Sequence, residues 1–436
     1  MKFSFCRVNT GRLGRPKKTR SNRRKGQKYF FISLSILGIF IVGFTKTPTA
    51  ITPTTFDWVR QNSPSPMIGN GIKPASKNAW DYFHPTWIKP NPWTLIALSE
   101  ESDTGSIEYS KAKLLLDDPH NKIEKEFKPP ISIQGRVQFW IDIYSRFTSK
   151  TRVIHDRRHP EVMFGYIDFR PLFRTLPSQM TAEIWAASFE KKIIKELYAR
   201  LSEAAGITKT HLLSLEEKMA IQAFLSRSGA LDKAGFNQLL KNIRTQTGQS
   251  DTFLLALQRS KYLLPHIESV FKQQGLPVAL ARIPFVESSF NSKALSKIGA
   301  IGIWQFTRET AREMIHADAE ILWGDPLRQT KSAAKLLRSY RAALPDWGTT
   351  ITSYNSGVGR VRRIIGKYHL SNVTGLIELN HKDGLGFAGK NFYSEFLAAN
   401  LVEAYKEDVF GPLLNGIDSA LVFKNKGAVP KELCDL

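Results

Sequence analysis

The stretch at residues 284–306, PFVESSFNSKALSKIGAIGIWQF, places one carboxyl group among apolar side chains. Pro277 has the fixed φ of a first helical turn and predicts a helix that begins there and carries Glu287 near its end. Phe285 and Val286 directly precede Glu287, and burial among them would raise its pKa, as a general acid near neutral pH requires. Taken alone, however, a glutamate near the end of a helix is usually a solvated or helix-capping residue.

The second half of this stretch predicts a tight loop after the helix. Gly299 and Gly302 permit a turn or a close approach of two backbones. Gln305 lies between Trp304 and Phe306, and an amide flanked by aromatic rings is a common way to bind a sugar. Taken alone, the two glycines are also what an ordinary turn would contain.

Elsewhere, apolar residues recur at helical spacing, which predicts a mainly α-helical fold. Asp325 followed by Pro326 predicts the N-cap and first position of a helix. Residues 162–169 are the best candidate for a strand, with a helix as the alternative. The helical spacing is clearest at Val137, Trp140, Ile141 and Tyr144; at Ile184, Ala187, Ile194, Leu197 and Leu201; and at Phe392, Phe396, Leu397, Leu401 and Tyr405.

Several short motifs follow one another in a set order and spacing. They are Glu287-Ser288, Gly299-x-x-Gly302-x-x-Gln305, Tyr354-Asn355-x-Gly357 and Tyr393. In this arrangement they resemble the soluble lytic transglycosylase (SLT) catalytic domain of glycoside hydrolase family 23, as found in membrane-bound murein transglycosylases of type D. The resemblance covers residues 261 to about 407, roughly a third of the chain.

The resemblance implies a lysozyme-like, mainly α-helical catalytic lobe with a long groove for a glycan strand. It implies cleavage of the β-1,4 bond between N-acetylmuramic acid and N-acetylglucosamine in peptidoglycan. The product would carry a 1,6-anhydro ring on the muramic acid, because water is not the nucleophile.

By motif match, Ser288 would orient the catalytic carboxyl or the substrate. Gln305, Tyr354 and Asn355 would hydrogen-bond the sugars near the cleaved bond, and Tyr393 would position the substrate or the carboxylate. The alternative for Tyr354 and Tyr393 is packing in the core, and the alternative for Asn355 is a turn at the end of a helix.

The acidic residues of the motif stretch fit a single-carboxyl mechanism. Ordinary glycosidases use two carboxyl groups, but the next acidic residue after Glu287 is Glu309. Glu287 would therefore act as sole general acid and base, first protonating the leaving oxygen and then accepting the proton of the attacking C6 hydroxyl. An internal hydroxyl can outcompete water because of its high effective molarity.

The N-terminus has the pattern of an export segment. Residues 1–28 carry eleven basic and no acidic side chains, and the mostly apolar residues 29–46 follow. This asymmetry predicts a cytoplasmic leader and an exported remainder. An inner-membrane anchor that faces the periplasm is favoured over cleavage to a periplasmic form, because Pro48 makes Thr47–Ala50 a poor cleavage site.

The composition divides the rest of the chain into four parts. Residues 47–130 are rich in proline and predict a spacer, and residues 131–260 predict a helical accessory region. Residues 261–410 are the predicted catalytic domain, and residues 411–436 are a C-terminal tail.

No cofactor or metal is expected. Cys6 and Cys434 lie at opposite ends of the chain and have no metal-ligand spacing. His155 and His159 are four residues apart, but Pro160 and the two arginines between them favour a loop, and no third ligand is evident.

The expected partners are peptidoglycan strands and, through residues 29–46, the inner membrane. Nucleic acid is not expected as a partner, because the strongest basic cluster belongs to the leader. A hydrolytic muramidase of the same fold is the alternative enzyme. A non-catalytic peptidoglycan-binding or scaffold protein is the alternative outside enzymes.

Overall fold

The computed structural model describes residues 109–176, 178–205, 217–218, 221–222, 233–315, 325–411 and 413–416. The leader, the apolar segment at 29–46 and most of the spacer lie outside these ranges, as do Cys6 and Cys434. Within them, every helix is too short or too polar to cross a bilayer. The export and anchoring predictions therefore remain predictions.

The described part of the chain is mainly α-helical, as the apolar spacing predicted. Short 3-10 helices precede several of the α-helices. In chain order the α-helices are α1 Tyr109–Leu115, α2 Gln134–Ser145, α3 Arg170–Thr175, α4 Gln179–Ala205, α5 Lys233–Asn242, α6 Ser250–Gln273, α7 Ile283–Ser288, α8 Arg308–Ile315, α9 Pro326–Ala343, α10 Trp347–Ser356, α11 Val358–Tyr368, α12 Val373–Glu378, α13 Phe387–Ala404, α14 Lys406–Phe410 and α15 Leu413–Gly416.

An antiparallel sheet interrupts the region predicted to be helical. Its strands are β1 Thr151–Asp156, β2 Met163–Asp168 and β3 Ile243–Thr247, in the order β2-β1-β3. The prediction of a strand at 162–169 is confirmed by β2. The central strand β1 is buried at nearly every position, so it lacks the polar alternation that reveals a half-exposed strand.

The main core contains residues from helices that precede the sheet in the sequence and from helices that follow it. Trp140 of α2, Phe285 of α7 and Phe396 of α13 are buried in one cluster. Phe127, in the region assigned to the spacer, is 1% exposed and meets Phe396 edge-on at 5.5 Å. The structure thus shows residues from about 109 onward folded with the helices. The sequence did not predict this packing, because apolar side chains are sparse along that part of the chain.

The helix α9 begins as its sequence predicted. The Asp325 side chain accepts a hydrogen bond from the backbone N–H of Arg328 at 2.8 Å, and Pro326 occupies the first helical turn. This cap satisfies a donor that would otherwise have no partner. It fixes the start of the helix that packs beneath the loop described below.

Candidate active site

Glu287 lies in the last turn of the short helix α7. A 3-10 helix at Val278–Arg282 leads into α7 directly after Pro277, close to the start that the sequence predicted. The helix ends because Ser289 and Phe290 both adopt positive φ, at 52° and 54°. Two successive non-glycine residues in this sparsely populated region mark a constrained turn.

The surroundings of Glu287 keep its carboxyl group protonated. Phe285 stacks on Phe253 of α6 at 5.0 Å, and Phe253 in turn meets Tyr144 of α2 at 5.1 Å. Burial in this part of the core raises the pKa of Glu287 from 4.5 to about 8. At neutral pH the side chain is therefore an acid with a proton to donate.

A compact loop at residues 294–306 packs beside Glu287. Isolated β-bridges join Leu295 to Ile301 and Ile301 to Phe306. Gly302 has a φ of 72°, and a Cβ added there would collide with the side chain of Gln329. Glycine is favoured here by the backbone conformation, and the end of the Gln329 side chain would have to move to admit a Cβ.

Side chains of α7 and α10 form hydrogen bonds to the backbone of this loop. Ser288 Oγ donates a hydrogen bond to the carbonyl of Ile303 at 2.9 Å, and Tyr354 OH donates one to the carbonyl of Trp304 at 2.7 Å. Ser288 is 4% exposed. Its position therefore fits a role in fixing the loop against the Glu287 helix, rather than direct contact with a substrate.

Gln305 lies in the loop, and its side-chain N–H groups donate to carbonyls of the loop itself. Its φ is 49°, and its Nε2 donates to the carbonyl of Gly302 at 2.9 Å. The amide oxygen makes no hydrogen bond within the described part of the chain. The oxygen, on this partly exposed side chain, can accept from a sugar hydroxyl or from the N–H of an acetamido group.

Tyr354 lies next to Glu287. Its ring is parallel to that of Phe392 of α13, with 6.5 Å between centroids, and it also approaches Phe306 at 6.4 Å. Burial raises the pKa of Tyr354, and the charge of Glu287 raises it further. The neighbouring Asn355 is partly exposed at the end of α10, just before Gly357 with its φ of 81°.

Tyr393 packs in the core and has other charged neighbours than Tyr354. It is 3% exposed and stacks on Phe396 at 6.3 Å. Burial is the main cause of its raised pKa, and the charges of Asp346 and Glu126 raise the pKa further. Because successive helical residues point in different directions, Phe392 faces Tyr354 and Tyr393 faces the core. This environment fits the packing alternative for Tyr393.

The structure adds two residues that sequence reasoning missed. Glu395 of α13 is 2% exposed, and its Oε1 has no hydrogen-bond partner among the described residues. Burial raises the pKa of Glu395 to about 8, the charge of Glu287 raises it further, and Arg244 lowers it. The second residue is Tyr144, whose pKa is raised mainly by burial and further by the charges of Glu395 and Glu287. The only sequence signal for Glu395 was a carboxyl between the apolar residues of α13, and Glu403 of the same helix gives the same signal.

The histidine pair does not form one site. His155, on β1, is fully buried, its Nδ1 lies 2.8 Å from the backbone oxygen of Asp156, and burial lowers its pKa to about 3. His159 instead lies 3.4 Å from Glu161. In the part of the chain that the structure describes, no cluster of three or more potential ligands suits a metal ion.

A helical domain with a carboxyl of raised pKa beside a loop that carries a partly exposed amide has groups of the kind that glycoside-cleaving enzymes use. Residues 267–372 match the family model of the transglycosylase SLT domain. This region of the chain is thus similar to the SLT domain of lytic transglycosylases, the resemblance that its motifs predicted.

Two similar proteins agree with this assignment. Membrane-bound lytic murein transglycosylase D of Escherichia coli (strain K12) is 33% identical over 100 residues, which are 22% of this chain and 22% of that protein. A putative tributyltin chloride resistance protein of Alteromonas sp. (strain M-1) is 31% identical over 110 residues, 24% of this chain and 53% of that protein. The chain thus matches between about a fifth and about half of the length of these relatives.

Proposed function

We propose that this protein is a peptidoglycan lytic transglycosylase. It cleaves the β-1,4 bond between N-acetylmuramic acid and N-acetylglucosamine and leaves a 1,6-anhydro ring on the muramic acid. The observation that carries the proposal is the protonated carboxyl of Glu287, held beside Tyr354 and the glycine-containing loop. The murein transglycosylase named among the relatives supports the substrate class.

In the first step, Glu287 donates its proton to the glycosidic oxygen while the bond from C1 to that oxygen breaks. The acetamido oxygen of the substrate stabilises the positive charge on C1. In the second step, the C6 hydroxyl attacks C1 and Glu287 accepts the hydroxyl proton, which restores the starting acid. No water is consumed, and the intramolecular attack has a high effective molarity.

The second carboxyl group, Glu395, raises the question of a two-carboxyl hydrolytic mechanism. Such a mechanism needs an ionised base or nucleophile opposite the acid. Glu395 is 2% exposed and its pKa is raised to about 8, so it is mostly neutral at pH 7. A neutral, enclosed carboxyl does not serve as a nucleophile, and this favours Glu287 as sole acid and base.

Product analysis separates the proposal from its alternatives. The full chain is incubated with purified peptidoglycan, and the soluble fragments are weighed by mass spectrometry. Fragments with anhydro ends, lighter by one water than reducing ends, are expected from the unchanged protein and from Glu309→Gln, whose side chain is exposed. Glu287→Gln should release none.

Each other result of the product analysis would support an alternative to the proposed function. Reducing ends would identify a muramidase. The absence of soluble fragments would identify a peptidoglycan-binding or scaffold protein without turnover. Equal release by Glu287→Gln and the unchanged protein would remove Glu287 from the mechanism.

We place the catalytic domain outside the inner membrane, anchored by residues 29–46. The charge pattern of residues 1–46 and the membrane-bound relative support this location. Protease added to intact spheroplasts should degrade the domain while leaving cytoplasmic proteins intact. Recovery of the domain in the soluble periplasmic fraction would instead indicate that the leader is cleaved.

A further inference from the structure

A cavity of about 240 Å³ lies beside the beginning of α13, apart from the residues of the candidate active site. Cationic side chains from three places in the chain line it: Arg136 near the start of α2, Arg158 between β1 and β2, and Lys390 of α13. Glu161 and Glu378 also contribute to the wall.

The cavity concentrates positive charge. Lys390 Nζ donates to the carbonyl of Leu379 at 2.9 Å but forms no ion pair with any described residue. Arg136 is 7% exposed and donates to the side-chain oxygen of Asn391 at 2.9 Å and to the carbonyl of Arg158. Lys390 is the residue that favours an anion, because a cation in a pocket is costly to desolvate and is normally balanced by an anion.

The acidic residues of the wall compensate this charge only in part. Glu161 and Glu378 stand against three cationic side chains, and Glu378 is exposed to solvent. Burial lowers the pKa of Lys390 to about 8, and the charges of Arg136 and Arg158 lower it further. The ammonium group is still mostly charged at pH 7, so the pocket is suited to an anion.

The pocket shares two helices with the candidate active site. On α2, Arg136 precedes Tyr144 by a helical rise of about 12 Å, and on α13, Lys390 precedes Glu395 by about 7.5 Å. A substituent on a sugar bound near Glu287 could span such distances. The volume is below the roughly 300–1,000 Å³ of sites that enclose a whole small molecule, so it suits the end of a larger ligand.

We propose that this pocket binds a carboxylate of the peptide stems carried by peptidoglycan, between the Arg136 and Arg158 guanidinium groups and the Lys390 ammonium group. The inference rests on the proposed function, which supplies the substrate. Guanidinium groups pair with carboxylates through two parallel hydrogen bonds. The stem peptides bear free carboxylates along the strand, whereas the sugar ring hydroxyls are neutral.

Calorimetric titration of the full chain tests the binding site without turnover. The probes are N-acetyl-L-alanyl-D-glutamate, its diamide and inorganic phosphate. The dipeptide should bind and the diamide should not. Lys390→Gln, which keeps a donor for the Leu379 carbonyl, should weaken dipeptide binding by about tenfold, the usual loss for a hydrogen bond to a charged group. Lys335→Gln, an equal loss of charge on the exposed face of α9, should leave it unchanged.

The pH dependence gives a second readout. Below pH 8, Lys390 is already charged, so binding should take up few protons. Above pH 8, binding should take up about one proton and the affinity should fall, because the anion favours the charged lysine. Lys390→Gln should remove this proton uptake.

Kinetics then connect the pocket to the substrate. On peptide-bearing strands, Lys390→Gln should raise KM with kcat unchanged, and on strands stripped of peptides it should change neither. Equal dipeptide affinity of Lys390→Gln and the unchanged protein, or tighter binding of phosphate than of the dipeptide, would overturn the inference. Cleavage of peptidoglycan without dipeptide binding would refute this inference alone, whereas Lys390-dependent dipeptide binding without cleavage would refute only the proposed function.

Discussion

The catalytic carboxyl should destabilise the fold that holds it. Glu287 is neutral in the folded protein up to about pH 8, but in the unfolded chain it ionises above its ordinary pKa of 4.5. Folding must therefore keep it protonated, or desolvate its charge, at any pH above 4.5. Glu287→Gln removes this cost together with the acid, so it should abolish cleavage and raise the free energy of unfolding.

The sign and size follow from proton linkage. Because the folded pKa lies above the unfolded pKa, the folded state binds more protons between pH 4.5 and 8, and stability falls as the pH rises through this window. The full shift corresponds to about 5 kcal/mol, at about 1.4 kcal/mol per pKa unit. The side chain is partly exposed, and solvent screening reduces the expected gain to about 2 kcal/mol at pH 8.

Thermal unfolding of the full chain at two pH values measures this gain. At pH 8, Glu287→Gln should raise Tm by about 4–8 °C, the shift that 2 kcal/mol produces in a domain of this size. At pH 4, both states of the unchanged protein are protonated, so the two proteins should unfold at the same temperature. In parallel, the rate of fragment release should fall at least about 100-fold.

The exposed residue Glu309 provides the control, since Glu309→Gln removes the same charge without relieving burial. It should change Tm little at either pH. A Glu287→Gln protein that is less stable at pH 8, or equally stabilised at both pH values, would refute the view that burial holds the catalytic proton.

Four further variants test the rest of the site. Glu395→Gln should keep most of the activity and leave the alkaline limb of the pH–rate profile nearly in place, because burial is what raises the pKa of the catalytic carboxyl; a large shift of the limb would contradict this. Tyr354→Phe should lower kcat severalfold, because it removes the 2.7 Å hydrogen bond to the loop, worth about 1 kcal/mol; a rise in KM alone would indicate substrate contact instead. Tyr393→Phe should leave kcat nearly unchanged, since its ring is buried against Phe396, and a large loss would restore the role implied by its motif. Gly302→Ala should lower the free energy of unfolding by at least about 2 kcal/mol, whereas Gly366→Ala, within α11 and with nothing in contact, should raise it by up to about 1 kcal/mol; comparable denaturation midpoints for the two would count against a constrained loop.

Local sequence determined a large part of this protein. Apolar spacing predicted helices such as α2, because a helix buried against a core repeats its contacts every turn. Asp325 and Pro326 marked the start of α9, because capping involves only neighbouring residues. The apolar approach to Glu287 predicted its raised pKa, which the structure reproduces through burial.

Only the tertiary structure decided which distant residues share the site. Glu395 reaches Glu287 because α13 packs against α7, and no spacing within either helix records that contact. The choice between Phe392 and Tyr393 depends on the rotation of α13 about its axis, which its apolar sequence leaves undetermined because nearly every side is buried. The packing of separate segments likewise brings Lys390, Arg136 and Arg158 together around one pocket. Local periodicity encodes how a segment folds, whereas the pairing of charges far apart in the sequence is set when the segments pack.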